Sequence, residues 1–218
     1  MIKAVVLLGP PGAGKGTQAR ALAQVLKASV VGMGDLLRRE ISNQTDLGCQ
    51  VQACVESGQF LNDPRLVMEV LRIGLNKVDG DYVVLDGVPR DIEQAYLVQQ
   101  ALAEVDVQII QVFLLETPFD IAKQRISTRY QCVDCGACFS EARSTCIHCG
   151  HTVERRCDDI EDIIERRLTI YHENVQKLVD YYKRQDLLSV VDATRSAHHI
   201  TQDIVSGLAS LKGGGGFY

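Results

Sequence analysis

"IKAVVLLGPPGAGKGTQARALAQVLK", residues 2–27, decides the fold. Its first seven residues are a short, mostly apolar run rich in valine and isoleucine, the pattern of a buried strand. Gly9, Gly12, Gly14 and Gly16 follow, and the stretch from Gln18 onward spaces its apolar residues as a helix does. Strand, glycine loop and helix in this order make a phosphate cradle. Glycines let the backbone N–H groups turn onto phosphate oxygens, the helix N-terminus adds partial positive charge, and Lys15 neutralises the outer phosphates. The candidate nucleotide contacts are therefore Gly12, Ala13, Gly14, Lys15, Gly16 and Thr17. The strict Walker pattern G-x-x-x-x-G-K-[ST] fails by one residue, because Gly16 stands where Ser or Thr is expected and Thr17 comes next. A glycine turn that merely joins strand to helix is the bland alternative, and a strand and a helix in the required places weigh against it.

Outward from this segment, four further runs predict strands: "SVV" (29–31), "DYVVLDG" (81–87), "VDVQIIQVFLLE" (105–116) and "LLSVVD" (187–192). Amphipathic helical stretches separate them, so the expected fold is α/β, a doubly wound parallel sheet of about five strands covered on both faces. Ligands of such sheets sit beyond the carboxyl ends of the strands, where the glycine loop and Asp86 both fall. Asp86 reads either as a carboxylate on the Mg²⁺ side, acting through bound water, or as a turn aspartate before Gly87 and Pro89; the pattern alone leaves both open. "NKVD" (76–79) matches a guanine-recognition signature but ends a helix instead of following a strand, so it is read as a helix terminus.

With 218 residues, 46% of them hydrophobic, the chain can bury one substantial core. "AVVLL" (4–8) is too short for a signal peptide and no run approaches the roughly 18 apolar residues of a membrane span, which predicts a cytosolic protein with no membrane partner. A net charge of −5 argues against a general nucleic-acid binder, whereas fifteen arginines against eight lysines suit bidentate phosphate recognition.

"CVDCGACFSEARSTCIHCG" (132–150) holds five of the eight cysteines. Cys132/Cys135 and Cys146/Cys149 are two C-x-x-C pairs, each followed by glycine, and in a cytosolic chain this spacing favours thiolates on one structural Zn²⁺ over disulfides. Between Gln131 and Cys157 the sizeable apolar residues are Val133, Phe139, Ile147 and Val153, too few to order the segment, so metal supplies the missing core. Cys138, Cys157, His148 and His151 are the substitute ligands. A nucleic-acid-binding zinc ribbon is the competing reading, disfavoured by the acidic balance. Cys49 and Cys54, far away in sequence, are expected as small buried apolar residues.

The glycine loop with its Gly-Thr ending resembles that of the nucleoside monophosphate kinases, and "GMGDLLR" (32–38), "ESGQFLND" (56–63), "LDGVPRDIEQA" (85–95) and "RRCDDIEDIIERRLTIYH" (155–172) resemble, in order, further segments of adenylate kinases. The resemblance covers nearly the whole chain. It implies a single P-loop kinase domain over 1–218, with a helical acceptor-binding insert at 32–63 and a small zinc-ribbon-like lid at 128–158. The activity it implies is reversible Mg²⁺-dependent phosphoryl transfer from ATP to AMP, giving two ADP, by a monomer. It places Arg38 and Arg90 on the acceptor phosphate, Arg129, Arg156 and Arg167 around the transferring group, and Arg125 and Arg195 on the donor nucleotide. Met33, Gln59, Leu61, Gly87 and Gln94 join the acceptor contacts, with Gln94 facing the adenine edge and Met33 standing where threonine is usual. Arg125 and Arg129, four apart, are expected on one helix face. Asp158 and Asp159 either orient the lid arginines or cap the following helix. A kinase for another monophosphate such as CMP or UMP, and a P-loop ATPase with a cysteine interaction module, are the alternatives. The tail "GGGGFY", with 212–218 taken as flexible, carries no function in this reading.

Overall fold

A computed structural model describes residues 1–213. β1 (Ile2–Leu8) leads into α1 (Lys15–Leu26), and β2 (Ser29–Gly32) passes directly into α2 (Met33–Ser42). Helices α3 (Asp46–Glu56) and α4 (Pro64–Leu75) precede β3 (Tyr82–Asp86), and α5 (Ile92–Ala103) leads to β4 (Val107–Glu116). After α6 (Phe119–Ser127) come three short strands, β5 (Tyr130–Cys132), β6 (Cys138–Phe139) and β7 (Val153–Glu154). The chain closes with α7 (Glu161–Lys183), β8 (Leu188–Asp192) and α8 (Ala197–Gly213).

Five strands pair in the order β2-β3-β1-β4-β8, every pairing parallel, as the sequence predicts. Alternation along β1 sends Ala4, Val6 and Leu8 to one face of the sheet and Val5 and Leu7 to the other, all of them buried. The first face packs on α2, α3, α4, α5 and the C-terminal part of α7; the second packs on α1 and α8. Leu7 stands beside Asp86, Gly32 beside Asp86, and Glu116 beside Asp192, so the carboxyl ends of all five strands align on one edge of the molecule. A separate antiparallel sheet, β6-β5-β7, carries Cys132 on β5, and Cys135, Cys146 and Cys149 pack beside it from outside its strands.

Local chemistry sets the helix boundaries. Thr45, Asp63 and Asp91 cap α3, α4 and α5 by accepting from Gly48 N, Arg65 N and Gln94 N, and Pro64 takes the first position of α4. Asn76 of "NKVD" is the C-cap of α4, a helix terminus as expected. Two expectations are corrected, for Cys49 with Cys54 and for Asp158 with Asp159. Cys49 is exposed and Cys54 half-buried, because α3 buries Leu47, Gly48 and Val51 and the helical period turns Cys49 away from that stripe. Of the tail, Lys212 and Gly213 end α8, and 214–218 lie outside the described residues. The capping reading of Asp158 and Asp159 also fails: the N-cap of α7 is Ile160, with no side-chain cap.

Gly48 marks the tightest helix crossing, where a Cβ would lie 2.2 Å from the Glu40 carbonyl oxygen of α2. Gly48→Ala is expected to push α2 and α3 apart at a cost of about 1–3 kcal/mol, lowering the melting temperature by about 2–10 °C. Thermal unfolding, with amide exchange quickened over residues 33–56, is the measurement.

Candidate active site

The loop after β1 reaches the carboxyl edge of the sheet with Gly12 at φ 84° and Gly14 at φ 89°, left-handed conformations that suit glycine. At Gly12 the loop also lies against α6, since a Cβ there would fall 2.4 Å from the Ala122 carbonyl oxygen. Gly16 accounts for the departure from the Walker pattern: a Cβ there would lie 3.1 Å from Asp86 Oδ2, so a side chain would crowd the carboxylate at the end of β3. Lys15 folds back over the loop, its Nζ donating to the Gly9 and Pro10 carbonyls at 2.8 and 2.9 Å. Burial pushes the Lys15 ammonium down to about 7, against the opposing pull of Asp86, and burial likewise raises Asp86 against the pull of Lys15.

Facing this loop is a cleft of about 560 Å³ lined by Gly12, Ala13, Gly14, Lys15, Gly16, Thr17, Asp86, Gly87, Arg125 and Arg195. A smaller cavity adjoins it, lined by Met33, Gln59, Leu61, Gln94 and the apolar residues Leu37 and Val55. Arg38, Arg90, Arg156 and Arg167 line both, and Arg129 lines the larger. The fold thus brings every sequence-selected nucleotide-site residue to two communicating spaces at the carboxyl edge of the sheet.

Two aspartates just before α7 organise the arginines. Asp158 accepts from Arg156 Nε at 2.8 Å and pairs with Arg167 at 3.0 Å, while Asp159 accepts from Arg129 at 2.6 and 2.9 Å. Burial alone would raise the Asp158 carboxyl; Arg156 and Arg167 override it and hold the group well below the ordinary carboxylate range. Arg90 is held differently, by a 3.0 Å bond to the Gly87 carbonyl and by the Phe60 ring 5.0 Å away, with no ion pair among the described residues. Burial, then the neighbouring Arg156 and Arg38, press its guanidinium toward the neutral form. Such crowded cations gain most from an anion placed among them.

Arg125 and Arg129 do not share a helix face, which corrects the expectation: α6 ends at Ser127 and Arg129 lies beyond it, turned to Asp159. Arg125 instead donates to the Ala193 and Thr194 carbonyls at 2.8 and 3.3 Å, next to Arg195, which pairs with Asp203 at 2.7 Å. Gln94 is tied down at both ends of its amide, Oε1 accepting from Arg90 N at 3.0 Å and Nε2 donating to the Leu61 carbonyl at 2.9 Å. One N–H and one lone pair of the amide remain for a ligand.

Sequence reasoning passed over Asp35, Cys54, Phe60, Gln131, Phe139 and Tyr171, all of which line the cavities. Asp35, Phe60 and Tyr171 lie inside motifs already quoted, and that is the signal available; Gln131 gives none beyond its neighbours.

Above the cleft, the Sγ atoms of Cys132, Cys135, Cys146 and Cys149 all lie within 4.8 Å of one another. Cys132 and Cys149 are 3.4 Å apart at sulfur and Cys135 and Cys146 3.6 Å, far beyond the ~2.05 Å of a disulfide. Four sulfurs ~2.3 Å from a tetrahedral ion would stand about 3.8 Å apart, so the cluster fits a metal closely. Each pair closes a knuckle: Gly136 N donates to the Cys132 carbonyl at 3.2 Å and Gly150 N to that of Cys146 at 2.9 Å, with φ of 69° and 78° at the two glycines. Cys138, Cys157 and His148 stay outside the cluster, and His151 groups instead with Asp134 and Cys149. Among the described residues no helix is long and apolar enough to cross a membrane.

The chain that carries this phosphate loop, ring of arginines and four-cysteine cluster is similar to known proteins over nearly its whole length. The family model described as adenylate kinase matches residues 7–187. An adenylate kinase of Clostridium perfringens is 34% identical over 215 residues, 95% of this chain and 99% of that protein. One of Caldicellulosiruptor bescii is 34% identical over 211 residues, covering 94% and 98%, and one of Methanosarcina acetivorans 32% identical over 214, covering 95% and 99%. With matches spanning nearly the full length of both partners, and with the cleft those motifs should build in place, this chain belongs to the adenylate kinase family.

Proposed function

We infer that the chain catalyses reversible phosphoryl transfer from ATP to AMP, giving two ADP, and that the sequence-selected residues carry it in the roles below. The observation that supports this most is the meeting of two cavities across Arg38, Arg90, Arg156 and Arg167. One space suits a donor on the glycine loop, the other a monophosphate whose base lies among Met33, Leu37, Leu61 and Gln94. An acceptor phosphate oxygen attacks the terminal phosphorus of ATP, and the bond to the bridging oxygen of the leaving ADP breaks. The attacking oxygen is already anionic, so no general base is needed; the chemistry asks for positioning and for cations where charge spreads. Lys15, Arg129, Arg156 and Arg167 surround that charge, and Arg90 with Arg38 holds the acceptor phosphate. Arg125 and Arg195 flank the donor base and ribose. Mg²⁺ bound with ATP would offset phosphate charge, with Asp86 holding its water shell.

Residues 32–63 serve as the acceptor insert and 128–158 as a lid that excludes water from the donor. Zn²⁺ is the metal that four thiolates in a closed tetrahedron suit best, and its role is structural. The same reading makes the protein a cytosolic monomer whose cysteines a reducing compartment keeps as thiols or thiolates.

Incubation with MgATP and each nucleoside monophosphate separately tests the reading. Two ADP from ATP plus AMP is expected, with ATP hydrolysis far slower when AMP is absent; better turnover of CMP or UMP would move the acceptor assignment. Lys15→Met and Arg90→Ala are each expected to lower kcat by ~10²–10³ in folded protein, the usual worth of one preorganised charge at a developing transition state. The lowered Lys15 predicts a pH effect. Its cationic form binds phosphate and is lost as pH rises through about 7 in the free enzyme. Plots of kcat/KM for ATP should therefore fall above that pH, by about a decade per unit at most, while kcat holds to higher pH because bound phosphates restore the charge. Elemental analysis should find one zinc per chain, and exhaustive chelation should lower the melting temperature, with activity lost as the lid melts.

A further inference from the structure

Gln131 has no role in the reading above, yet it is 9% exposed and faces the cleft. It is the middle residue of β5, the central strand of the small sheet, and pairs with Cys138 on one side and Glu154 on the other. Side chains alternate along a strand, so Cys132 turns into the cysteine cluster and Gln131 toward the phosphate site. The metal-held sheet thereby fixes where the Gln131 amide lies. Its Nε2 donates to the Gly136 carbonyl at 3.0 Å within the lid and to Asp35 Oδ1 at 3.4 Å in the first turn of α2. Gly136 presses on the same carboxylate, since a Cβ there would lie 3.1 Å from Asp35 Oδ2 and 3.3 Å from Arg20 Nη1. Asp35 in turn accepts from Arg38. An unbroken run of contacts therefore leads from the cysteine cluster through Gln131 and Asp35 to an arginine of the acceptor cavity.

We propose that Gln131 is a positioning residue that couples the lid to the acceptor insert, so that a donor nucleotide held under the lid tightens the binding of AMP. This rests on the assignment of 128–158 as lid and 32–63 as acceptor insert. The amide–carboxylate contact forms when both parts are closed, so its free energy belongs to the doubly bound state and appears as cooperativity between the nucleotides. A glutamine that merely satisfied the Gly136 carbonyl would stabilise the lid and leave that cooperativity untouched.

The test is calorimetric titration of the zinc-loaded, full-length protein with AMP, alone and with an ATP analogue whose β–γ bridging oxygen is replaced by NH. Wild type, Gln131→Leu and Gln131→Glu are compared, with zinc content and melting temperature recorded for each. The analogue should tighten AMP binding in wild type. In Gln131→Leu that tightening should shrink by about 3–10-fold, the worth of one ordinary hydrogen bond, since at 3.4 Å the contact with the carboxylate is long, while AMP alone binds within about twofold of wild type. Gln131→Glu sets a carboxylate against Asp35 and should shrink it further. Equal tightening in all three proteins overturns the proposal, as does loss of tightening that accompanies loss of zinc in both variants, which would assign Gln131 to the fold of the lid. If Gln131→Leu alone loses its zinc, the Gln131→Glu comparison decides. Wild type that fails to bind AMP at all would instead sink the underlying reading of the site.

Discussion

Six cationic side chains, Lys15, Arg38, Arg90, Arg129, Arg156 and Arg167, converge on one cleft, and the rest of the structure is arranged so that this charge can be held without ligand. Left alone, so many buried cations would repel one another; burial and mutual repulsion press Lys15, Arg38, Arg90 and Arg167 toward their neutral forms. Asp158 and Asp159, buried at the junction of the small sheet and α7, offset part of the charge and fix three of the guanidiniums by ion pairs. Lys15 and Arg90 are left with backbone carbonyls and an aromatic face in place of a carboxylate partner. Such groups are held in position and still undercompensated, which is the condition for electrostatic preorganisation toward a polyphosphate.

The same constraint explains the division of labour between parts of the fold. Lys15 and Asp86 stand on the carboxyl edge of the parallel sheet, whose strands are locked by two apolar clusters. Other cations of the cleft come from the sides, Arg38 from α2, Arg129 and Arg156 from the ends of the small sheet, and Arg167 from α7. That small sheet has a core of Cys132, Ala137, Cys146 and Val153, too little apolar volume to hold two arginines in register. The four cysteine sulfurs, within 4.8 Å of one another, are placed to take the part of the missing hydrophobic core by holding one metal ion.

Much of this was legible in the chain itself. Strand, glycine loop and helix at residues 2–27 determine a phosphate cradle, because backbone conformation there depends on glycine at particular positions. Apolar runs separated by amphipathic stretches determine a parallel sheet covered on both faces, and paired C-x-x-C motifs, each with a following glycine, determine a four-sulfur cluster. All three are local: spacing, period and backbone freedom act within a few residues, and the sequence displays them directly.

Other features were decided by contacts between distant segments. Whether Asp158 and Asp159 cap α7 or bind arginines depends on where Arg129 lands, thirty residues earlier in the chain, and α6 ends about half a turn sooner than a shared face with Arg125 would need. Cys54 is buried or exposed according to how α3 meets the segment 59–61, whose carbonyls its thiol approaches at 3.7 and 3.4 Å. Gln131 shows nothing in the sequence, for its meaning lies in a carboxylate 96 residues away. Gly16 stands between the two cases: its departure from the Walker pattern is plain in the chain, and its reason, the Asp86 carboxylate it leaves room for, exists only after β1 and β3 have paired. Local chemistry is fixed by which residues adjoin in sequence, whereas charge pairing and crowding are fixed by which elements the folded sheet brings together.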